Sequence, residues 1–255
     1  MSWGLTFKNL LLPIFCKLCD RRLLTEENGY FCPTCWEGSP RITRPFCSLC
    51  GRPHKGTVGF GTIQNFPCAT CRAMNPRSRH TRQIVGAAYY DEAVGEAIRW
   101  LKFRGRQRLA APLAELMADM AERELDTACY DMLVPVPLHP VRQRERGFNQ
   151  AALLGGELEP VFATARVEHV LARQKPTKVQ SRLQTPEQRR NNVRGAFAVS
   201  GEVKGRTVLL IDDVVTTGGT VRECARMLNK AGAAAVDVLA TALATHAPGQ
   251  ADDQA

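Results

Sequence analysis

The apolar positions of this chain change period along its length, and the order of the changes predicts strands alternating with helices. Apolar runs of strand length stand at Ile84 to Tyr90 (IVGAAYY), Met132 to Val136 (MLVPV) and Val208 to Ile211 (VLLI), and Ala234 to Ala244, interrupted by Asp237 and Thr241, reads as a further strand. Runs of this kind belong to strands covered on both faces, as in a parallel sheet. Shorter stretches at Val167 to Leu171 and Ala196 to Val199 read as two further strands. Between the runs the spacing becomes that of amphipathic helices. Ala93, Ala97, Ile98 and Leu101 share a face from Glu92 to Phe103; Leu109, Leu113, Leu116, Met117 and Met120 share one from about Arg108 to Leu125. Ala151, Leu154 and Leu158 mark a further helix, whose Gly155-Gly156 pair either weakens it or marks close packing. A last helix, with Val221, Ala225 and Leu228 inward beside Cys224 and Met227, ends at Ala231-Gly232. The prediction is an α/β fold over residues 81–244, a mostly parallel twisted sheet with helices on both faces. Residues 1–80 form a separate cysteine-rich head, and residues 245–255 read as a disordered tail.

The most informative stretch is Val208 to Thr220, VLLIDDVVTTGGT. Asp212 and Asp213 close its apolar run. Adjacent carboxylates at the end of a buried strand repel each other and resist desolvation, so they call for cationic, metal or hydroxyl partners. Thr216-Thr217-Gly218-Gly219-Thr220 follows and leads into a helix. Helix N-terminal N–H groups, threonine hydroxyls and glycines that admit close backbone approach suit a phosphate. A P-loop is excluded, because no lysine follows the glycines. The stretch resembles the phosphoribosyl pyrophosphate (PRPP) motif of type I phosphoribosyltransferases. That resemblance implies that Asp212 and Asp213 hold the ribose 2′- and 3′-hydroxyls while Thr216, Thr217, Gly218, Gly219 and Thr220 wrap the 5′-phosphate.

Eight of the ten cysteines form CxxC pairs: Cys16/Cys19, Cys32/Cys35, Cys47/Cys50 and Cys68/Cys71. Knuckles at these spacings present tetrahedral thiolate sets for structural zinc, up to two ions per chain. Pairing in sequence order and a cross-braced arrangement, with the first and third knuckles on one ion, both satisfy the spacing. Cys129 and Cys224 read as small buried hydrophobes.

The formal charge of +9 is uneven: +7 over residues 1–80, −2 over 81–140, +6 over 141–194 and −2 over 195–255. A zinc tetrathiolate carries −2, so two filled sites would leave the head at +3. Arg52, His54 and Lys55 after the third knuckle read as a phosphate contact or a solvated loop. In the second basic region Arg142, Arg144 and Arg146 follow a strand's C-terminal end, where ligands bind in open α/β sheets. His139, at the same exit, supports a turn or assists chemistry. Arg173 to Arg194 carries seven positive residues and one negative, and reads as a mobile lid over a polyanion, with a helix starting at Thr185-Pro186-Glu187. No apolar run approaches the roughly 20 residues of a membrane span. The segment before Cys16 is too short for a secretory signal, so a cytoplasmic location is expected.

The four knuckles, KFRG (Lys102 to Gly105), VPVPLHPVRQRERGFNQ (Val134 to Gln150), RQKPTKVQSRLQTPEQRRNN (Arg173 to Asn192) and VLLIDDVVTTGGT together resemble the ComF/GntX family of competence-protein-F-like phosphoribosyltransferases. The resemblance implies a zinc-ribbon head on a type I phosphoribosyltransferase body. It implies phosphoribosyl transfer from PRPP with Mg²⁺ and release of pyrophosphate, to an acceptor these residues do not identify. Lys102, Arg104 and Arg146 are the candidates for the pyrophosphate, with Lys178 and Arg182 on the lid. For some members it implies a role in single-stranded DNA uptake during transformation. The alternative class is a non-enzymatic, PRPP-responsive adaptor for single-stranded DNA or a DNA-translocating helicase.

Overall fold

The computed structural model describes residues 13–23, 30–54, 64–174 and 193–244. Ile14–Phe15 (β1) and Arg22–Leu23 (β2) form an antiparallel ribbon. The short helices Pro33–Glu37 (α1) and Ala69–Ala73 (α2) follow Cys32 and Cys68, each the N-cap in extended conformation. The body begins with Ile84–Tyr89 (β3), Glu92–Arg104 (α3) and Ala110–Glu124 (α4). Met132–Pro135 (β4), Pro140–Arg146 (α5), Gln150–Leu158 (α6) and Arg166–Val167 (β5) come next. Leu171–Arg173 (β6), Phe197–Val199 (β7), Thr207–Val215 (β8), Gly219–Lys230 (α7) and Ala235–Leu243 (β9) complete it.

β3, β9, β8, β4 and β5 lie in that order in one sheet, every pair parallel, while β6 and β7 form a separate antiparallel pair. The apolar runs occupy β3, β4, β8 and β9, and their side chains are nearly all buried. Helix α4 packs on β3 and β9 and against α6, which covers β8, β4 and β5; α7 packs on β8, β9 and β7. Leu109, Leu113, Leu116, Met117 and Met120 all face inward, as their spacing predicts. Burying a side chain of this size is worth roughly 1.5–3 kcal/mol, so this stripe holds α4 on the sheet. Gly155 is a close-packing residue, since a Cβ there would stand 3.1 Å from Val167 Cγ2, whereas Gly156 faces open space.

Four expectations change. Cys129, unlike the buried Cys224, is exposed at the end of a short turn before β4. The Val167 to Leu171 strand is two: β5 at the sheet edge and β6 in the antiparallel pair. The exit after β4 contains a helix, α5, that carries the arginines. The acid pair does not end its strand, for Asp212 and Asp213 lie inside β8 and are buried, continuing the pairing with β9 to Val215↔Leu243. The helix read from Thr185, the lid and the tail fall outside the described residues.

The head joins the β3 edge by backbone hydrogen bonds: Ile42 N–H to Ala87 O (3.0 Å), Tyr89 N–H to Pro40 O (3.2 Å) and Ile84 N–H to Leu49 O (3.2 Å). Tyr30 packs on Trp100 of α3, with ring centroids 5.5 Å apart. Arg44 donates through Nε and Nη2 to Glu124 of α4, at 2.8 and 3.0 Å. No helix among the described residues is long and apolar enough to cross a membrane.

Candidate functional site

β4 leads through α5 and α6 to β5, while β8 leads through α7 to β9 on the opposite side. The sheet therefore has a switch point between β4 and β8, where the outgoing loops part and leave a crevice. β4 pairs with β8 only as far as Pro135↔Ile211, and Val136 N–H closes the pairing on Ile211 O at 2.9 Å. Beyond Ile211 the strand has β9 on one side and an open edge on the other, and the acid pair sits on this overhang.

Alternation along β8 sends the two carboxylates to opposite faces. Asp213 meets Lys102 of α3, Nζ to Oδ2 at 2.7 Å, both side chains largely buried; the contact is an ion pair, outside hydrogen-bond angles. Asp212 Oδ1 accepts the Asp213 N–H at 2.9 Å. Burial and the neighbouring Asp213 charge push the Asp212 carboxyl well above the usual carboxylate range, against the pull of Lys102. Arg146 donates to Gln150 and packs its guanidinium over the Phe103 ring, 5.6 Å from the centroid. Burial lowers its pKa, and attraction to Asp213 opposes that shift. Arg173, on β6, is lowered first by burial and then by the like charge of Arg142, and is drawn the other way by Cys224 and Asp212. Lys102, Arg146 and Arg173 thus bear on the two acids from three elements.

The loop from Thr216 to Thr220 is built as the glycines demand. Gly218 is the N-cap of α7 at φ 74°, a conformation other residues adopt with strain. The Arg222 side chain crosses back over it to donate from Nη1 to Thr217 O at 2.6 Å. Thr216, Thr217, Gly218, Gly219 and Thr220 wrap the start of α7, and Asp212, Thr216, Gly218, Gly219 and Thr220 line one small cleft. His139 is a turn residue, its Nδ1 accepting the Val141 N–H at 3.3 Å as the cap of α5. Arg104 is exposed, and its charge acts on Glu96 rather than on the acids. Lys178 and Arg182 lie outside the described residues. Sequence reasoning missed Arg173 as a neighbour of Asp212 and Arg222 as the prop of the loop. Arg222 left a signal: a cation in a helix's first turn opposes the helix dipole unless it has a task there.

In the head, Cys16, Cys19, Cys32 and Cys35 converge, as do Cys47, Cys50, Cys68 and Cys71, each set with its sulfurs within 4.8 Å of one another. The knuckles therefore pair in sequence order, and the cross-braced alternative is excluded. Cys19 and Cys32 Sγ are 3.7 Å apart, and Cys50 and Cys68 Sγ 4.0 Å. A tetrahedron with zinc–sulfur bonds of about 2.3 Å has edges of about 3.8 Å, so both sets fit a structural zinc ion. Burial alone would raise the Cys16 and Cys47 thiols, but surrounding backbone N–H groups bring each down to about 6. At Cys47 those donors include the Cys68 and Cys50 N–H groups, at 3.2 and 3.4 Å.

The family model for a phosphoribosyl transferase domain matches residues 151–254, and that for a double zinc ribbon domain matches residues 7–72. The DNA utilization protein YhgH of Escherichia coli K12 is 32% identical over 232 residues, covering 90% of this chain and 96% of the relative. This chain belongs to the ComF/GntX family. Competence protein F of Haemophilus influenzae is 30% identical, covering 88% of this chain and 94% of its own. Competence protein ComFC of Bacillus subtilis is 28% identical, covering 87% and 91%. The ComF/GntX chain joins a double zinc ribbon to a body of phosphoribosyltransferase type, and its relatives carry names tied to competence and DNA utilization.

Proposed function

We propose that this ComF-type protein binds PRPP in the crevice between β4 and β8 and transfers its 5-phosphoribosyl group to an acceptor, releasing pyrophosphate, with residues 1–80 as the ribbon unit and 81–244 as the transferase unit. The observation that carries the reading is the placement of the acid pair. Two buried carboxylates overhang a switch point beside a phosphate-type loop, with one ammonium in contact and two arginines, Arg146 and Arg173, near. The Asp212 and Asp213 carboxylates accept the ribose hydroxyls. Thr216, Thr217 and the α7 N-terminus take the 5′-phosphate, and Lys102 and Arg146 face the pyrophosphate, joined by Arg104, Lys178 and Arg182 in the sequence assignment. Departure of pyrophosphate from C1 builds positive charge on the ribose and negative charge on the leaving group. The fixed carboxylates stabilise the first and the buried cations the second, with water excluded. Hard, buried carboxylate oxygens, two charges against one contacting ammonium, also fit Mg²⁺ carried in with the substrate, which when bound neutralises pyrophosphate and ribose oxygens.

Calorimetry tests this directly. Each charge-assisted hydrogen bond to a ribose hydroxyl is worth roughly 1.5–3 kcal/mol, or about a 10- to 150-fold change in affinity. Asp212→Asn or Asp213→Asn should lose PRPP affinity toward the lower end of that range, because asparagine keeps one acceptor. Thr217→Val should weaken ribose 5-phosphate and PRPP alike. Unchanged PRPP binding in a folded double asparagine variant would sink the reading. The relatives' names and the +9 charge favour a second one, a PRPP-responsive adaptor for single-stranded DNA or its helicase that performs no transfer. Release of pyrophosphate on adding nucleobases separates the two.

A further inference from the structure

Helix α3 follows β3 and carries Lys102 to Asp213, yet its own hold on the body is thin. Its buried residues are Ala93, Val94, Gly95, Ala97, Ile98 and Leu101, of which only Val94, Ile98 and Leu101 have side chains larger than a methyl group. Helix α4, by contrast, buries Leu113, Leu116, Met117 and Met120. Hydrophobic stabilisation scales with the apolar area removed from water, so α3 draws less from the body than α4 does. The head supplies further contact, because α1 packs on α3 and residues of the first ribbon meet Trp100. Tyr30 lies against the Trp100 ring at 5.5 Å between centroids, and Lys17 Nζ stands 5.7 Å from the same ring. The Trp100 indole N–H donates to Glu96, one turn earlier, which fixes the ring along the helix. Both head residues are set by the first cysteine cluster. Lys17 stands between Cys16 and Cys19, Tyr30 comes two residues before Cys32, and the Lys17 N–H donates to Tyr30 O at 2.9 Å.

We infer that the first zinc ribbon, acting through Tyr30, Lys17 and Trp100, sets the position of Lys102 and with it the affinity of the crevice for the pyrophosphate end of its ligand. The inference rests on the phosphoribosyl reading and adds a positioning residue, Trp100, and a route by which zinc occupancy tunes the site. Each residue of an α-helix turns by about 100°, so Lys102 stands about 200° round α3 from Trp100. The ribbon therefore bears on one side of the helix and Lys102 leaves from nearly the opposite side, with the buried Leu101 between them. A shift or rotation of α3 on its small-residue face passes straight to Lys102. The lysine stem cannot freely absorb that movement, since the side chain is only 19% exposed. Its contact with Asp213, Nζ to Oδ2 at 2.7 Å, lacks the directional lock of a hydrogen bond, so its strength follows distance and hence the placement of the helix. The loop that begins at Thr216 is faced by the second ribbon. Loosening the first ribbon therefore acts on the pyrophosphate end and spares the 5′-phosphate end.

Calorimetry on the zinc-loaded full chain with PRPP and with ribose 5-phosphate tests this, and zinc content serves as the check on folding. Trp100→Ala removes the ring that Tyr30 and Lys17 hold and leaves every cysteine in place. It should weaken PRPP about tenfold, the lower end for one charge-assisted contact, and change ribose 5-phosphate by less than about twofold. Trp100→Phe keeps the aromatic contact with Tyr30 and should restore most of the PRPP affinity. Lys102→Ala should show the same selectivity for PRPP. In its background Trp100→Ala should have no further effect, because a residue that acts only through Lys102 has nothing left to act on. Equal losses of PRPP and ribose 5-phosphate in Trp100→Ala, or additive losses in the double variant, would make Trp100 a general support of the fold and overturn the inference. Full PRPP affinity in either single alanine variant would overturn it as well. Cys16→Ser, which removes a ligand of the first site, should reproduce the Trp100→Ala pattern, and unchanged PRPP affinity in that one-zinc protein would break the link to zinc. Failure of the wild type to bind PRPP overturns the phosphoribosyl reading and this inference with it.

Discussion

Asp212 carries a cost that only a ligand repays. Its carboxyl is pushed upward chiefly by burial and then by Asp213. A folded-state pKa above the unfolded value of about 3.9 means that the ionised carboxylate destabilises the fold. The penalty is absent below the unfolded pKa and grows as pH rises toward the folded one. Asp212→Asn should therefore raise the melting temperature of the ligand-free protein at neutral pH, at about 2–4 °C per kcal/mol relieved, while it weakens PRPP. The rise should vanish near pH 3, and scanning calorimetry at the two pH values checks both signs. A melting temperature that falls at neutral pH would show that the acid pair stabilises the empty site. Asp237 is the opposite case. It is fully buried on β9 yet accepts from Arg82 Nη2 (2.5 Å) and Nε (3.1 Å), the Tyr130 hydroxyl (2.8 Å) and the Gln83 N–H (3.3 Å). Arg82→Ala leaves that charge buried without its cation, a loss of about 3–5 kcal/mol for such pairs. The lower end is expected because half of the Arg82 side chain is exposed, and urea unfolding measures it.

At the scale of elements, the ribbons are zinc sites and the β3 edge depends on them. Metal analysis should find two zinc ions per chain, falling to one in Cys16→Ser or Cys47→Ser, because the sulfurs form two separate sets. The Tyr89 and Ile84 amides donate to Pro40 and Leu49 of the head. Chelation should therefore speed their hydrogen exchange, while amides within β8 and β9, paired inside the sheet, stay protected. Equal protection at Tyr89 with and without zinc would mean that the head holds its shape unaided. The antiparallel pair β6 and β7 is tied to α7 through Gly195 N–H, just before β7, which donates to the buried Glu223 at 2.6 Å. That bond places the stem of the basic stretch beside the helix that follows the glycine-rich loop.

For the whole molecule, the excess of positive charge argues for polyanionic partners beyond the crevice, and single-stranded DNA is the one suggested by the relatives' names. If five phosphates are neutralised, log K should fall with log salt at a slope of about −3.5. Affinity indifferent to salt, or absent at low salt, would remove nucleic acid from the account. PRPP competing with DNA would place the two on one surface, and additive binding would place them on separate ones.

The sequence alone determined the features that periodicity and fixed spacing encode. Apolar runs such as VLLI and MLVPV name buried parallel strands, because only strands covered on both faces tolerate such runs. The CxxC spacing names tetrathiolate sites, and DDVVTTGGT names a strand that runs into a glycine- and threonine-rich helix start, because in each the pattern lies within a few bonds. Packing decided what depends on residues far apart in the chain. The knuckles pair in order because the two ribbons fold separately, which spacing leaves open. The acids lie within β8, since β9 continues the ladder past the point where β4 leaves it, and a single strand's composition is blind to its neighbours' lengths. Lys102 meets Asp213 across more than a hundred residues, Arg173 comes to Asp212 from β6, and the second ribbon faces the loop before α7. No local pattern encodes those meetings. They follow from the order of strands in the sheet and the faces on which the helices lie.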